Sequence, residues 1–427
     1  MQLRARVAAA IRVRLLDWPS PAACSREPAA ARGCRCARRA QRQLGWPTHG
    51  AHWPCRTQTS FTAPTISLES VAVEPRPTRR FDRVEPPSMT RTPRPVWRPG
   101  SLTGADGSAE TIAAKDLNNL YRASCFFTDI ERYRAFCGLY AVMRLVDDRV
   151  DAVLSQGLDR DTVPHERQIL AAWRRMVSAA MVGRPPNPAD IVAAEEPRAT
   201  EVLDAFARSV ARFPVEPSLW SDFFDAMEED LRRNRFQTFN DFLHYARGAT
   251  VAPTTVYLYL ITAEQATDEI FHVPPNFDLR GCGHNLGLFA YVGHVLRDLR
   301  KDLATGQKGL VYLAADDMAM HGVTEATLQE DLGRAQASQA LKALVRDLAG
   351  RADAKRRAGE AQLEILDGRL PADRTFVLQL IIRFYTATIE KIAACDFDPM
   401  TERHRLTDAE KTRLASVVAT ETSASGI

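Results

Sequence analysis

The sequence predicts an all-α domain in which helices enclose a central cavity. From Ser108 onward the apolar residues recur with helical periods. Alternating Val, Ile and Thr runs bounded by Asn-Gly turns, which are typical of strands, are nearly absent. Clusters of Pro and Gly at 183–188, 213–217 and 272–283 separate successive helical stretches. At about 310 residues this helical region exceeds a simple four-helix bundle, and a cavity enclosed by helices suits its length.

Each helix is predicted from its own run of apolar residues at three- and four-residue spacing. These runs predict helices at about 111–123, 129–153, 165–181, 199–211, 217–236, 239–264, 284–304, 324–330, 335–366, 372–394 and 407–420. No internal repeat is visible, so the helices form one domain, which we place at residues 108–427.

Residues 1–107 are predicted to be a disordered Arg/Pro-rich arm and linker. The first hundred residues hold 18 Arg, no Lys and six acidic residues, together with 13 of the 25 Pro, and they lack any sustained period. Such a composition buries too little apolar surface to offset chain entropy. Two explanations stay open: a targeting arm beginning with a basic amphipathic helix, or an over-long start with translation beginning at Met89.

The remainder of the chain has 38 basic and 47 acidic residues, a balance that disfavours nucleic-acid binding. No apolar run reaches about 18 residues, so no transmembrane helix is expected. The eight Cys show no CxxC pair and no zinc-ligand spacing, which indicates reduced thiols and a cytoplasmic protein. A peripheral membrane contact and the oligomeric state stay open.

Two acid pairs stand out on two apolar helices. Asp147 and Asp151 are four residues apart, and so are Asp298 and Asp302. On a helix this spacing puts both carboxylates on one face. The apolar turns before each pair argue against the alternative of solvated helix faces. Because Mg²⁺ takes hard oxygen ligands and shares them with phosphates, the two pairs predict one metal-lined cavity.

Basic side chains accompany both pairs. Arg144 lies three residues before Asp147, and Arg297 directly precedes Asp298. A guanidinium binds phosphate oxygens in two-point fashion, so an Arg beside metal-bound carboxylates suits a diphosphate ligand.

The segment from Met227 to Pro253 reads MEEDLRRNRFQTFNDFLHYARGATVAP and contains a run of small residues from Gly248. Such residues allow either close helix packing or the passage of a long apolar ligand near the backbone. Close packing is the favoured interpretation.

Several segments, in the same order, resemble the squalene/phytoene synthase family of head-to-head prenyl transferases. SCFFTDIERYRAFCGLYAVMRLVDDRVD is similar to that family's first aspartate motif and the residues before it. DLRRNRFQTFNDFLHYA is similar to its central stretch, and HVLRDLRKDL with LVYLAADDMAMHG is similar to its second aspartate motif. FYTATIEKIAACDFDPMTERHRLTDAEK is similar to its closing helix and tail. The resemblance runs from about Ser124 to Lys411.

The resemblance implies an isoprenoid-synthase-like fold and a role for each matching residue. Asp147, Asp151, Asp298 and Asp302 would be the catalytic Mg²⁺ ligands, with Asp148 assisting. The other implied positions are Tyr140, Arg144 and Arg297 beside the diphosphates, and Phe127, Tyr245, Tyr291 and Tyr385 along the cavity.

The chain departs from the family pattern near the second motif. Tyr291 and His294 stand where the family usually has Gln-x-x-Asn, and His is a poor ligand for Mg²⁺. Lys301 replaces an acid, and Lys308 stands where an Arg-x-Tyr arrangement is usual. His294, Lys301 and Lys308 are therefore expected to contact diphosphate rather than metal.

The resemblance implies condensation of two prenyl diphosphates to a cyclopropyl diphosphate, followed by ring opening. Farnesyl diphosphate with a squalene-type product is favoured, since the YARGATVAP segment and His294 depart from the phytoene-type pattern; NADPH would then supply hydride. The alternatives are phytoene synthesis from geranylgeranyl diphosphate and a non-catalytic assembly relative, although all four aspartates are present. A terpene cyclase would show an Asn/Ser/Glu metal triad, which His294 and Asp302 do not fit.

Overall fold

The computed structural model describes residues 98–155, 163–232, 235–266, 269–304, 311–401 and 404–424. The predicted arm before residue 98 lies outside these residues, as does Lys308. The described residues confirm the all-α prediction. Among them, no helix is long and apolar enough to span a membrane.

Fifteen α-helices account for most of the described chain. They are α1 Gly104–Ala113, α2 Asn119–Ser124, α3 Ile130–Ser155, α4 Val163–Met181, α5 Pro188–Ala193, α6 Ala199–Arg212, α7 Pro217–Asp230, α8 Phe239–Ala246, α9 Ala252–Thr262, α10 Leu279–Ala304, α11 Ala315–Met320, α12 Glu325–Arg334, α13 Gln339–Leu363, α14 Ala372–Ala394 and α15 Asp408–Ala424.

The described residues also form four short strands, in two pairs that the sequence did not predict. They are β1 Arg235–Phe236, β2 Glu264–Gln265, β3 Phe271–His272 and β4 Val311–Ala314. β1 pairs in parallel with β4, and β2 pairs antiparallel with β3. The β1–β4 pair connects the segment after α7 to the segment after α10. Both of those helices carry acidic side chains of the candidate site.

The two long helices α3 and α10 each bury an apolar stripe. On α3 the stripe includes Leu139, Val142 and Val146, and it packs against α6 and α1. The stripe of α10 contacts α9, α13 and α14, and it consists of Leu288, Phe289, Val292, Leu296, Leu299 and Leu303. Recurrence at three and four residues keeps each stripe on one side, so the remaining sides are free to carry polar groups.

The predicted single helix at 239–264 is interrupted. α8 begins with a capping box in which Thr238 and Asp241 satisfy each other's backbone N–H groups. A π-helical turn, Arg247–Val251, then separates α8 from α9. At Gly248 a Cβ atom would lie 1.8 Å from the Asp222 carbonyl oxygen of α7. The small residues of this segment therefore serve close helix packing, as favoured from the sequence.

The first helix begins at Gly104, four residues before the predicted domain start. Glu110 holds the preceding turn, because its carboxylate accepts hydrogen bonds from the backbone N–H groups of Gly100 (2.6 Å) and Leu102 (3.0 Å). The predicted helix 111–123 is divided into α1 and α2. Asp116 and Leu117 lie between them with φ of 60° and 45°, in the left-handed region that a continuous helix cannot contain.

Candidate active site

Asp147 and Asp151 lie one turn apart on α3, as predicted from their spacing. Burial raises the pKa of Asp147 to about 7, and the nearby charges of Asp151 and Asp148 add to that effect. The pKa of Asp151 is also raised, first by burial. Lys301 and His294 of α10 act on Asp151 in the opposite direction. The carboxylates of α3 therefore face polar side chains of α10.

Asp302 approaches the same region from α10. Burial and the charge of Asp298 raise its pKa to about 7, and the charge of Asp151 contributes across the gap between the helices. Asp147, Asp151 and Asp302 thus form a group of mutually repelling carboxylates. Such a group favours protons or a cation, because either one relieves the repulsion. These oxygen donors fit Mg²⁺.

The described residues hold no preassembled cluster of three or more His, Cys, Asp or Glu side chains that could by itself bind a metal ion. The aspartates approach from two helices that do not pack closely along their length. A ligand that supplies its own oxygen atoms, such as a diphosphate, would complete the coordination of a metal ion held between them.

Asp298 has different surroundings. It is 5% exposed, and both of its oxygens accept hydrogen bonds. Arg297 donates at 2.9 and 2.5 Å, the His294 Nε2 lies at 3.1 Å, and Arg405 donates at 3.1 Å. Burial alone would raise the pKa of Asp298, but these hydrogen bonds and charges outweigh burial and hold the pKa far below its ordinary value. Asp298 is therefore an anion surrounded by donor side chains, and we call His294, Arg297 and Arg405 the cationic group around Asp298.

His294 lies on the wall of this group. Its ring is half exposed, and its pKa is lowered by desolvation first and by the charge of Arg297 second. The ring contacts Tyr291 edge-on, with centroids 6.2 Å apart. His294 therefore approaches the predicted diphosphate region from the side of Asp298.

Asp148 lies on a different face of α3 from the other two carboxylates. Its neighbours are Lys115 at 2.7 Å and Arg144 at 3.0 Å. Residues next to each other on a helix point about 100° apart, so Asp148 leaves the face shared by Asp147 and Asp151, although its charge acts on both of them. Asp148 holds Arg144 in place, and its assistance in metal binding stays a prediction.

Arg144 is shared among several acids. It donates to Asp116 at 2.6 Å and contacts Asp148, and the charge of Asp147 also acts on it. Tyr140, one turn earlier, stacks on Phe136 with ring centroids 5.2 Å apart. Arg144 and Tyr140 therefore lie beside the first aspartate motif, and their contact with a diphosphate stays a prediction.

The remaining predicted cavity residues divide into two groups. Burial is the main cause of the raised pKa values of Tyr245, Tyr291 and Tyr385; the charge of Asp230 adds to it for the first two, and the charge of Asp298 adds to it for Tyr385. Phe127 does not fit this role. Its side chain is 0% exposed in the turn between α2 and α3, so it packs in the core and presents no surface to a cavity.

Two cavities border this region. One of about 20 Å³, roughly the space of one water molecule, lies among Phe242, Val292 and Tyr312. A cleft of about 780 Å³ opens on another face of α3, beside Asp148, Arg149 and Trp173. Its charged side chains are already paired; Arg149, for example, donates to Glu166 at 2.7 Å.

Sequence reasoning did not single out three residues beside the site. Asp230 is buried at the end of α7 and accepts a hydrogen bond from the Tyr245 hydroxyl. Tyr312 of β4 lies 6.0 Å from Tyr245 between ring centroids, and Arg405 of the tail contacts Asp298. Each lies in a segment that carried the family resemblance, and that was the available signal.

Comparisons with known proteins identify the family of the chain. The sequence model of the squalene/phytoene synthase family matches residues 115–411. The chain belongs to the squalene/phytoene synthase family. The family predicted from the sequence is therefore confirmed, and with it a relation to the transferases of isoprenoid biosynthesis.

Curated relatives of this family member include phytoene synthases at low identity. Phytoene synthase 3 of Zea mays is 24% identical over 72% of this chain and 64% of its own length. Phytoene synthase 1 of Arabidopsis thaliana is 24% identical over 55% of this chain and 50% of its own length. The chain thus spans less than two thirds of these relatives.

Two solved structures show the same fold. A dehydrosqualene synthase in complex with ligand matches with a TM-score of 0.58 at 18% identity, over 75% of this chain and 97% of the other. The squalene synthase HpnC of Alicyclobacillus acidocaldarius matches with a TM-score of 0.53 at 16% identity, over 69% of this chain and 94% of the other. At these identities the matches establish the fold alone.

Proposed function

We propose that the protein condenses two prenyl diphosphates head to head in the site between α3 and α10. The observation that carries the proposal is the convergence of three carboxylates with raised pKa values, Asp147, Asp151 and Asp302, opposite the cationic group around Asp298. The first group suits Mg²⁺ and the second suits diphosphate. The family membership of residues 115–411 supports the same chemistry.

The residues of the site would have separate roles in metal binding and diphosphate binding. Asp147, Asp151 and Asp302 would hold Mg²⁺, which neutralises the charge that develops on a departing diphosphate. Asp298 is the fourth ligand that the resemblance implies. Its contacts with Arg297, His294 and Arg405 keep these three side chains oriented. The oriented side chains would then bind the diphosphate oxygens. Cationic donors fixed in advance stabilise a leaving anion without reorganisation.

Carbon–carbon bond formation requires exclusion of water. Ionisation of the first prenyl diphosphate leaves an allylic cation, and the C2–C3 double bond of the second prenyl diphosphate attacks that cation. Loss of one proton then gives the cyclopropyl diphosphate. Phe242, Tyr245 and Tyr291 form an aromatic wall beside the carboxylates, with the rings of Phe242 and Tyr291 stacked at 5.7 Å. Such a wall excludes water and favours a cation through its ring faces.

We favour farnesyl diphosphate as both substrates, with a thirty-carbon, squalene-type product. The support is the departure of the YARGATVAP segment and of His294 from the phytoene-type pattern. Geranylgeranyl diphosphate with phytoene as product is the second candidate, and it draws on the phytoene synthases among the curated relatives.

One incubation tests the proposal. The purified protein is supplied with Mg²⁺ and labelled farnesyl or geranylgeranyl diphosphate, with and without NADPH. Products are extracted and identified by mass spectrometry, with Asp298→Ala as the control. A thirty-carbon product that changes with NADPH supports squalene-type synthesis, and a forty-carbon triene supports phytoene synthesis. Absence of both product and pyrophosphate would overturn the enzymatic proposal in favour of an assembly protein.

A further inference from the structure

Asp230 is a buried carboxyl group at the end of α7, outside both aspartate motifs. It is 7% exposed, and the Tyr245 hydroxyl donates a hydrogen bond to its Oδ2 at 2.8 Å. Burial raises the pKa of Asp230 well above its ordinary value, the hydrogen bond from Tyr245 opposes this, and the charges of Asp147 and Asp151 add to it. Asp230 therefore lies on the side of the first aspartate motif, and Tyr245 is hydrogen-bonded to it.

Aromatic neighbours confine the ring of Tyr245. Its centroid lies 5.1 Å from Phe236, 6.2 Å from Tyr291 and 6.0 Å from Tyr312. The pKa values of Tyr291 and Tyr312 are raised by burial first and then by acidic groups of this region, with Asp302 among them. The cage around Tyr245 is therefore the same aromatic wall that borders the proposed reaction site.

A buried carboxyl group beside other carboxyl groups costs stability. An apolar side chain of similar volume at this position would avoid the desolvation cost and is often neutral or stabilising. Among the described residues, the Tyr245 hydroxyl is the hydrogen-bond donor that meets Asp230. What the carboxyl group provides is thus a fixed anchor for the Tyr245 hydroxyl group.

We propose that Asp230 is a positioning residue for Tyr245 in the condensation reaction. The hydrogen bond to Asp230 fixes the phenol ring of Tyr245 within the aromatic wall, so the ring is held in place before the allylic cation forms. The inference rests on the proposed function and adds to it the residue that orients this ring.

Tyr291 extends the same network in this chain. Its ring lies 6.2 Å from the Tyr245 ring between centroids and stacks on Phe242 at 5.7 Å. The family usually has Gln at this position, so this aromatic ring beside Tyr245 is a feature of this chain. Asp230 and Tyr291 together restrict the orientation of the Tyr245 side chain.

A double-mutant cycle tests the inference. Asp230→Leu, Tyr245→Phe and the double variant are compared in kcat, KM and melting temperature. We expect Asp230→Leu to lower kcat by about 10- to 100-fold, with KM changed by less than about threefold and the melting temperature not lowered. Since both residues act through one hydroxyl, the double variant should be no slower than Tyr245→Phe alone. Asp230→Asn retains an acceptor oxygen and should recover most of kcat.

Two matched control variants distinguish a positioning role from the general effect of removing a buried polar group. Asp331 is 0% exposed and caps the Ser338 backbone N–H at 2.8 Å, so Asp331→Asn removes a buried carboxylate elsewhere. The Tyr259 hydroxyl donates to the Phe271 carbonyl oxygen at 2.6 Å, so Tyr259→Phe removes a buried phenol hydroxyl. Both controls should leave kcat unchanged.

The outcomes are distinct. If Asp230→Leu is as fast as the wild-type protein, or if the losses of the two single variants multiply in the double variant, the positioning role is wrong while the proposed function stands. If the wild-type protein itself releases no pyrophosphate from either prenyl diphosphate, the proposed function fails, and the inference fails with it.

Discussion

The aspartate motifs of α3 and α10 share the same four-residue spacing but differ in electrostatic surroundings. On α3, burial and neighbouring carboxylates raise the pKa of Asp147 to about 7. On α10, Asp298 is surrounded by His294, Arg297 and Arg405, and the first two hold its pKa far below the ordinary value despite its burial. Equal spacing therefore does not mean equal chemistry: α3 presents unbalanced negative charge, and α10 presents an anion already paired with cations.

The largest expected effect lies within the first motif. Asp147→Asn should lower kcat/KM for Mg²⁺-dependent pyrophosphate release by about 100- to 1000-fold, because it removes a carboxylate from the proposed metal site. Asp148→Asn, one residue away, is the matched control and should cost less than about fivefold, since Asp148 pairs with Lys115 and Arg144. Equal losses in the two variants would contradict the assignment of Asp148 to a different face.

The cationic group around Asp298 gives the next effect. Arg405→Ala should raise KM about tenfold with a smaller change in kcat, because it removes one charge-assisted donor from the proposed diphosphate region. Arg357→Ala is the control, as Arg357 is an exposed partner of Asp353 on α13. If both substitutions leave KM unchanged in steady-state assays, Arg405 has no part in diphosphate binding.

The raised pKa values also predict a pH-dependent stability. In the folded state the Asp147 and Asp302 carboxyl groups have pKa values of about 7, above the ordinary 3.8, so folding favours their protonated forms. Their contribution to stability is complete below the ordinary pKa and is lost as pH rises through 7. Without divalent metal, Asp147→Asn or Asp302→Asn should therefore raise the free energy of unfolding at pH 8 by about 1 kcal/mol, and less at pH 5.

Denaturant unfolding at the two pH values measures this difference. Addition of Mg²⁺ at pH 8 should narrow the difference in the free energy of unfolding between variant and wild type, since the metal stabilises the wild-type protein alone. A variant that is less stable than the wild-type protein at pH 8 would show that the carboxylate repulsion inferred on this side of the site is absent.

The smallest expected effect concerns His294. His294→Asn supplies the amide that the family usually has there, and an amide oxygen suits Mg²⁺ better than an imidazole. The Mg²⁺ concentration for half-maximal activity should fall about two- to threefold, an effect of under about 1 kcal/mol. His244→Asn, on α8, serves as control. A rise in the Mg²⁺ requirement would indicate that His294 itself supports metal binding.

The helices and the motif spacing could be predicted from the sequence because both depend on local periodicity. α3 and α10 follow their apolar stripes, and the Asp147 and Asp298 pairs fall on the faces that remain. The break at Arg247–Val251 could not be predicted, because it depends on how closely Gly248 approaches the backbone of α7. Nor could the pairing of Asp148 with Lys115, which depends on a left-handed turn 31 residues earlier in the chain.

The difference in electrostatic surroundings between the two aspartate motifs could not be predicted from the sequence either. Arg405 lies 107 residues beyond Asp298, so no local pattern could indicate their contact. Asp230 shows the same limitation, since its importance arises from a hydroxyl on the following helix. Residues whose roles come from long-range pairing need the fold before they can be recognised.

The contact between Arg405 and Asp298 joins the segment before α15 to the candidate active site. Arg405 lies just before α15, and that helix is held to the body by Arg122 with Asp408 and by Lys391 with Glu410. A diphosphate that attracts Arg405 would alter the contacts that hold α15 to the rest of the protein. The exchange rates of the α15 amide protons therefore become an intrinsic reporter of substrate occupancy, readable by mass spectrometry without a label and without turnover.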